Sequence, residues 1–286
     1  MFPIKKYFQM VKYFLSYVRF LTVHKFSLSR TKILTIAMRK ILLPLLLVSV
    51  GFASCDKETE DLSEMAQGHK FFPTEIGKYI LYDVDTLYWD DHLGTSVPTH
   101  WQARYDVVDT FRDAEGRLSY VMNVQIRATE SSPFMPDDVI YVTPTDGHVL
   151  FKQKNLTFMK LVFPVSNGKS WNGNAMIPTN DQDFKEYNND KWNYTYSNFD
   201  TEFDPGNNLY EHTVTVNQID DVLNNPDVDS TAYAYKNYSQ EIYAYNVGMV
   251  YRERIYWEFQ PKAPGGSGGS GFRKGYEVRM RAVENN

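Results

Sequence analysis

Apolar and polar residues alternate through most of the chain after residue 79. Tyr79-Ile80-Leu81-Tyr82-Asp83-Val84 is one such run, and Arg104-Tyr105-Asp106-Val107-Val108-Asp109 is another. The second leads into the turn residues Asp113-Ala114-Glu115-Gly116, after which residues 118–126 alternate again, which predicts a hairpin. Residues 139–142 and 149–152, joined by Thr145-Asp146-Gly147, predict a second. Further short runs at 156–163, 212–219, 241–245, 250–259 and 276–283 bring the expectation to about ten to twelve strands. A period of two sends successive side chains to opposite faces, and strands joined by short turns pair antiparallel. Helical patterning is thin, and only residues 218–224 (QIDDVLN) suggest a short helix or turn. The chain is therefore read as mainly β: an antiparallel curved sheet or barrel-like sandwich, in one domain at 71–286.

Composition supports this reading. From Cys55 onward there are 18 Tyr, 12 Phe and 5 Trp but only ten Leu, a balance that favours strands over helices. Residues 261–271, PKAPGGSGGSG, read as a long hairpin loop between the last two strands, since the 15 residues that follow cannot bury a core alone.

The pattern breaks at the N-terminal side. Residues 41–54 carry no formal charge and follow Met38-Arg39-Lys40. A basic start, a short apolar stretch and small residues before a cut site make an export signal, and 14 residues fall short of the roughly 20 that a spanning helix needs. Residues 38–54 are read as that signal. Residues 1–37 are basic and aromatic; they read as upstream sequence outside the mature protein, or as an amphipathic membrane-surface helix. Six of the nine residues 56–64 are charged, so 55–70 is expected to be an acidic tether. Fully extended, residues 56–70 would reach roughly 50 Å.

Charge follows the same division. The net charge is −5, but residues 1–40 hold nine bases and no acid, leaving 21 bases against 35 acids from Cys55 onward. A net of −14 over that part excludes a uniformly basic nucleic-acid binder. A single cysteine excludes an internal disulfide framework.

Phe52-Ala53-Ser54-Cys55 resembles a bacterial lipoprotein box, with Phe52 standing where Leu is usual. The resemblance implies lipidation of Cys55 and attachment to a membrane through its acyl chains. Lys57, Glu58, Glu60 and Asp61 resemble the surface-export tag of Bacteroidota-type lipoproteins. That implies an outer-membrane position facing the cell surface, with the periplasmic leaflet as the alternative. Phe72-Pro73-Thr74-Glu75-Ile76-Gly77-Lys78 and Phe163-Pro164-Val165-Ser166-Asn167-Gly168-Lys169 share the pattern F-P-x-x-x-G-K, 91 residues apart. They read either as two similar half-units or as reuse of good turn chemistry. The first copy, together with Gly248-Met249-Val250-Tyr251-Arg252-Glu253, resembles a group of uncharacterised Bacteroidota-type lipoproteins. These motifs belong to the fold and imply no catalytic residues.

No nucleophile elbow, zinc-protease helix, phosphate loop or dinucleotide glycine motif occurs, so no catalytic set, metal site or cofactor is expected. His92 and His100 with Asp90 and Asp91 lack the spacing of a named metal site. The acidic run Asn180-Asp181-Gln182-Asp183, Glu186 and Asn188-Asn189-Asp190 lacks the glycine of an EF-hand loop. Trp192, Tyr194 and Tyr196 read either as a sugar-stacking platform or as a strand's core face. Asp83, Asp85, Asp90 and Asp91 could supply paired carboxylates to a glycan hydrolase. The leading expectation is a lipid-anchored envelope protein with a non-catalytic binding or scaffolding domain, whose partner is a glycan or another envelope protein. A carboxylate hydrolase and a carrier of an apolar ligand are the alternatives.

Overall fold

The computed structural model describes residues 64–90, 95–178, 182–187, 191–206, 208–262 and 271–286. Twelve strands run among them: β1 (Tyr79–Asp90), β2 (Thr95–Arg112), β3 (Leu118–Arg127), β4 (Met135–Pro144), β5 (His148–Gln153), β6 (Leu156–Val162), β7 (Ser170–Trp171), β8 (Tyr194–Phe203), β9 (Tyr210–Leu223), β10 (Ala234–Ala244), β11 (Gly248–Gln260) and β12 (Phe272–Asn285). They form one sheet in the order β6-β5-β4-β3-β2-β1-β12-β11-β10-β9-β8-β7, with every neighbouring pair antiparallel. The sheet curls into a nearly closed barrel, the curved antiparallel architecture that alternation predicts.

The two ends of the sheet meet along a seam. The Met159 amide donates to the Gly173 carbonyl at 2.8 Å, and the Trp171 indole N–H donates to the Met159 carbonyl at 2.8 Å. The Tyr196 hydroxyl accepts from the Val162 amide at 2.9 Å and donates to the Val162 carbonyl at 3.0 Å. Side chains thus satisfy edge groups of β6 that strand pairing leaves open, as buried backbone polar groups require.

Apolar residues fill the interior. Tyr82 and Val84 of β1 stand opposite Ala282 and Met280 of β12, and all four are buried. Phe71 and Phe72 lie just before β1. Phe71 is buried against Tyr245 and Phe199, and Phe72 against Phe151 and Tyr243. Met65 is buried too, so the last residues of the expected tether join the domain.

The two F-P-x-x-x-G-K copies precede β1 and β7, the first strands of two six-strand halves. They make the same bonds. The Gly77 amide donates to the Val107 carbonyl and the Val107 amide to the Lys78 carbonyl, at 2.8 and 2.9 Å. The Gly168 amide donates to the Tyr196 carbonyl and the Tyr196 amide to the Lys169 carbonyl, at 2.8 and 3.0 Å. Gly77 and Gly168 have φ of 91° and 81°, a left-handed turn that side chains disfavour.

One local expectation is corrected. Residues 218–223 continue β9 as a strand, with no helix. The register shifts between Ser239 and Gln240 on β10, so Gln218 bulges inward and bonds the Ser239 hydroxyl at 2.6 Å. Asp221 is buried against Lys191 and the Tyr235 hydroxyl. Buried polar residues therefore hide the strand's alternation. The stretch around Pro98 is strand as well. Pro98 pairs with Leu87, while β3 pairs with β2 only from Gln102 onward. Residues 95–101 lie at a free sheet edge, where proline's missing N–H breaks no ladder. The register Gln260↔Phe272 makes the glycine-rich stretch a hairpin connection, although residues 263–270 lie outside the described residues.

Candidate functional site: a groove on the outer face

A single extra residue builds the site. The register passes from Val107↔Met122 to Asp109↔Val121, leaving Val108 unpaired. Val107 and Met122 face the core, so the bulge turns Asp109 and Phe111 to the opposite face. A cross-strand row then runs Asp109–Val121–Tyr141–Lys152–Thr157 over β2 to β6. Beside it Phe111 pairs with Ser119, whose hydroxyl bonds Thr143 at 2.7 Å, and Thr143 pairs with Leu150. The small Ser119 and Thr143 lower the floor between larger neighbours. The result is an open groove of about 820 Å³, walled by the β2–β3 turn and Met176.

The turn wall is fixed by its own bonds. Asp113 accepts from the amides of Glu115 and Arg117 and from the Arg117 guanidinium, at 3.1, 2.8 and 2.7 Å. Partial burial works against the charge, yet these bonds and the Arg117 charge hold the Asp113 carboxyl below its ordinary range. Phe111 and Tyr141 meet edge to face at 5.4 Å and remain 39% and 40% exposed. The groove thus offers two ring surfaces, the Thr157 hydroxyl, the Asp109 carboxylate and the exposed Lys152 ammonium. That set suits a ligand with flat apolar faces and many hydroxyls.

Ionic pairs, by contrast, span the barrel interior. Lys160 of β6 reaches Glu241 of β10 at 2.5 Å, although these strands stand far apart in the sheet order. Glu241 is fully buried and also accepts from the Tyr243 hydroxyl at 2.7 Å. Burial works to raise its carboxyl pKa, but the charges of Lys160 and Arg252 override it and hold the group below its ordinary value. Burial pushes the Lys160 ammonium down. Farther along β11, Arg254 meets Glu186 at 3.3 Å and the Asn237 side chain at 2.6 Å, and Tyr276 donates to Glu186 at 2.9 Å. Arg254 also lies over the rings of Trp192, Tyr256 and Tyr276.

The residues singled out from sequence lie elsewhere. Trp192, Tyr194 and Tyr196 are buried in the main core, which corrects the stacking expectation in favour of its core alternative. Their polar tips are spent on the Glu186 carbonyl, the Asn174 side chain and Val162. Asp83 accepts from Gln102 at 2.8 Å, and Asp85 pairs with His100 at 2.9 Å and with Arg281. Against partial burial, His100 and Arg281 keep the Asp85 carboxyl below its ordinary range, so it is poorly set to donate a proton. Asp90 ends β1, while Asp91 and His92 lie outside the described residues. Among the described residues no group of three or more His, Cys, Asp or Glu could hold a metal ion. Of the Asn-rich run, Glu186 turns inward, and residues 180, 181 and 188–190 lie outside the described residues, as does Cys55. Sequence reasoning missed Phe111 and Tyr141; the only cue is the doubled valine, Val107-Val108, that breaks strict alternation.

No family model and no curated protein matches the chain. Solved structures do. The chain is similar to a protein of Bacteroides fragilis provisionally described as exported and as having a YmcC-like fold. Identity is 15%, with 76% of this chain and 98% of that one covered and a TM-score of 0.34. It is also similar to a protein of Parabacteroides distasonis provisionally described as a lipoprotein. Identity is 11%, with 76% and 98% covered and a TM-score of 0.36.

Proposed function

We propose that the chain is a lipid-anchored protein of the cell envelope whose barrel binds a carbohydrate in the outer groove without catalysis. Acyl chains on Cys55 attach it to the outer membrane, facing the surface, and the acidic residues that follow hold the barrel off the bilayer. The groove of about 820 Å³, with Phe111 and Tyr141 exposed side by side, carries the binding half of this reading. Its volume lies within the range of small-molecule sites, and sugars are held by ring stacking with hydrogen bonds from flanking polar groups. Asp109, Lys152 and Thr157 supply such groups.

The alternatives draw less support. Asp83 and Asp85 are engaged by Gln102, His100 and Arg281 rather than paired across a deep cleft. Among the described residues, the interior cavity lined by Tyr82, Lys160 and Arg252 is about 50 Å³, too small for a lipid chain.

Titration of the purified protein with soluble oligosaccharides, followed by NMR or calorimetry, tests the groove. Phe111→Ala and Tyr141→Ala are each expected to weaken binding about tenfold or more while leaving the melting temperature nearly unchanged, as for half-exposed rings. Saturable binding that is indifferent to both substitutions would refute the assignment.

A further inference from the structure

A second concavity lies inside the barrel, where the ionic cluster meets the packed rings. It measures about 50 Å³, and Tyr105, Phe151, Lys160, Glu241, Met249 and Arg252 are among its lining residues. Its charges do not balance. Lys160 and Arg252 both face Oε1 of Glu241, at 2.5 and 3.6 Å, and Tyr243 holds Oε2. One carboxylate therefore serves two cations. The next carboxylate along the cluster, Glu186, is taken by Arg254 and Tyr276. Arg252 Nε is buried and has no hydrogen-bond partner, and its distance to Glu241 exceeds that of a hydrogen bond. Tyr105 lines the same space, and burial pushes its hydroxyl up to about 12, so it stays a donor at neutral pH.

The Arg252 side chain is 29% exposed, so water meets part of its charge, yet its unpartnered buried Nε and the single carboxylate shared by two cations both favour an anion. Arg is the side chain best shaped to take one, because its planar fork matches a carboxylate with two parallel bonds. Much of the remaining lining is apolar, including Phe72, Met122, Met249 and Phe151, whose ring lies under the Lys160 ammonium at 5.2 Å. The volume equals roughly four water-sized spheres.

We propose that this cavity binds a small monocarboxylate of about two to four carbon atoms, with its carboxylate on Arg252 and its carbon end against Met122 and Met249. The second anion completes the charge balance that Glu241 leaves unfinished. This site is separate from the groove and does not depend on the carbohydrate reading.

The test uses the purified protein carrying ¹³C-methyl methionine, titrated with sodium acetate, propionate and butyrate against sodium chloride at equal ionic strength. The expected result is a saturable shift of the Met122 and Met249 methyl signals with at least one carboxylate, with Met176, in the outer groove, unmoved. Chloride is expected to give no saturation. Arg252→Gln, which keeps size but removes the charge, is expected to raise the dissociation constant at least tenfold. Should that variant fail to fold, Arg252→Lys keeps the charge and loses the fork, and is expected to weaken binding as well. Absence of saturation, equal shifts with chloride, or undiminished affinity in the Arg252 variant that folds would each overturn the proposal.

Discussion

Glu241 is the residue on which the interior's charge balance turns. It touches Lys160, Tyr243 and Arg252 at once and has no solvent exposure. Glu241→Gln keeps the shape but leaves two cations facing each other in the barrel. Breaking a buried pair from one side typically costs about 3–5 kcal/mol, because the orphaned charge has no water to turn to. Urea unfolding monitored by tryptophan fluorescence is expected to show a loss of that size. A loss under about 1 kcal/mol would mean that water already screens the cluster. Acid acts on the same group. The folded-state pKa of Glu241 lies below its ordinary value, so its contribution is present above that value and is lost as pH falls through the folded one. Asp85 and Asp113 are depressed in the same direction. Unfolding midpoints are therefore expected to hold from pH 7 to about 5 and to drop below about 4. A midpoint that rises on acidification would contradict this sign.

Among the elements, the seam between β6 and the β7–β8 edge is joined by individual bonds to Met159 and Val162 and by no strand ladder among the described residues. Tyr196→Phe removes a hydroxyl that both accepts from and donates to Val162. The expected cost is about 1–3 kcal/mol, that of leaving buried backbone groups unsatisfied. Hydrogen exchange at Val162 and Met159 is expected to quicken more than at β1 or β12, and uniform quickening would count against a local seam. Elements also show how far sequence reaches. The hairpins β2–β3 and β4–β5 are legible because period-two runs flank turn residues at 113–116 and 145–147. The end of β9 is not, because Gln218 and Asp221 bury polar side chains where the pattern needs apolar ones. The groove escapes notice for a related reason: one bulged residue, Val108, decides which face Phe111 occupies. Lys160 and Glu241 are 81 residues apart, and no local pattern joins them. Alternation reports which face a strand buries. It does not report which strands lie across an interior from one another.

At the scale of the molecule, two halves of six strands each open on F-P-x-x-x-G-K, and each copy ties its glycine and lysine to a strand of its own half. The repeated bonds give the echo in the sequence a physical basis: proline ends one segment, glycine turns it, and the next strand is pinned in register. Among the described residues the barrel so built has a cavity of about 50 Å³ inside and a wider groove outside. This arrangement suits a body that presents a surface rather than one that encloses a large cargo. The proposed membrane placement rests on lipidation of Cys55. Mass spectrometry of the N-terminal peptide from native cells tests that most directly. The expected chain begins at Cys55 with fatty acyl mass on the sulfur and the amine, whereas a peptide starting upstream with an unmodified Cys55 would contradict the placement.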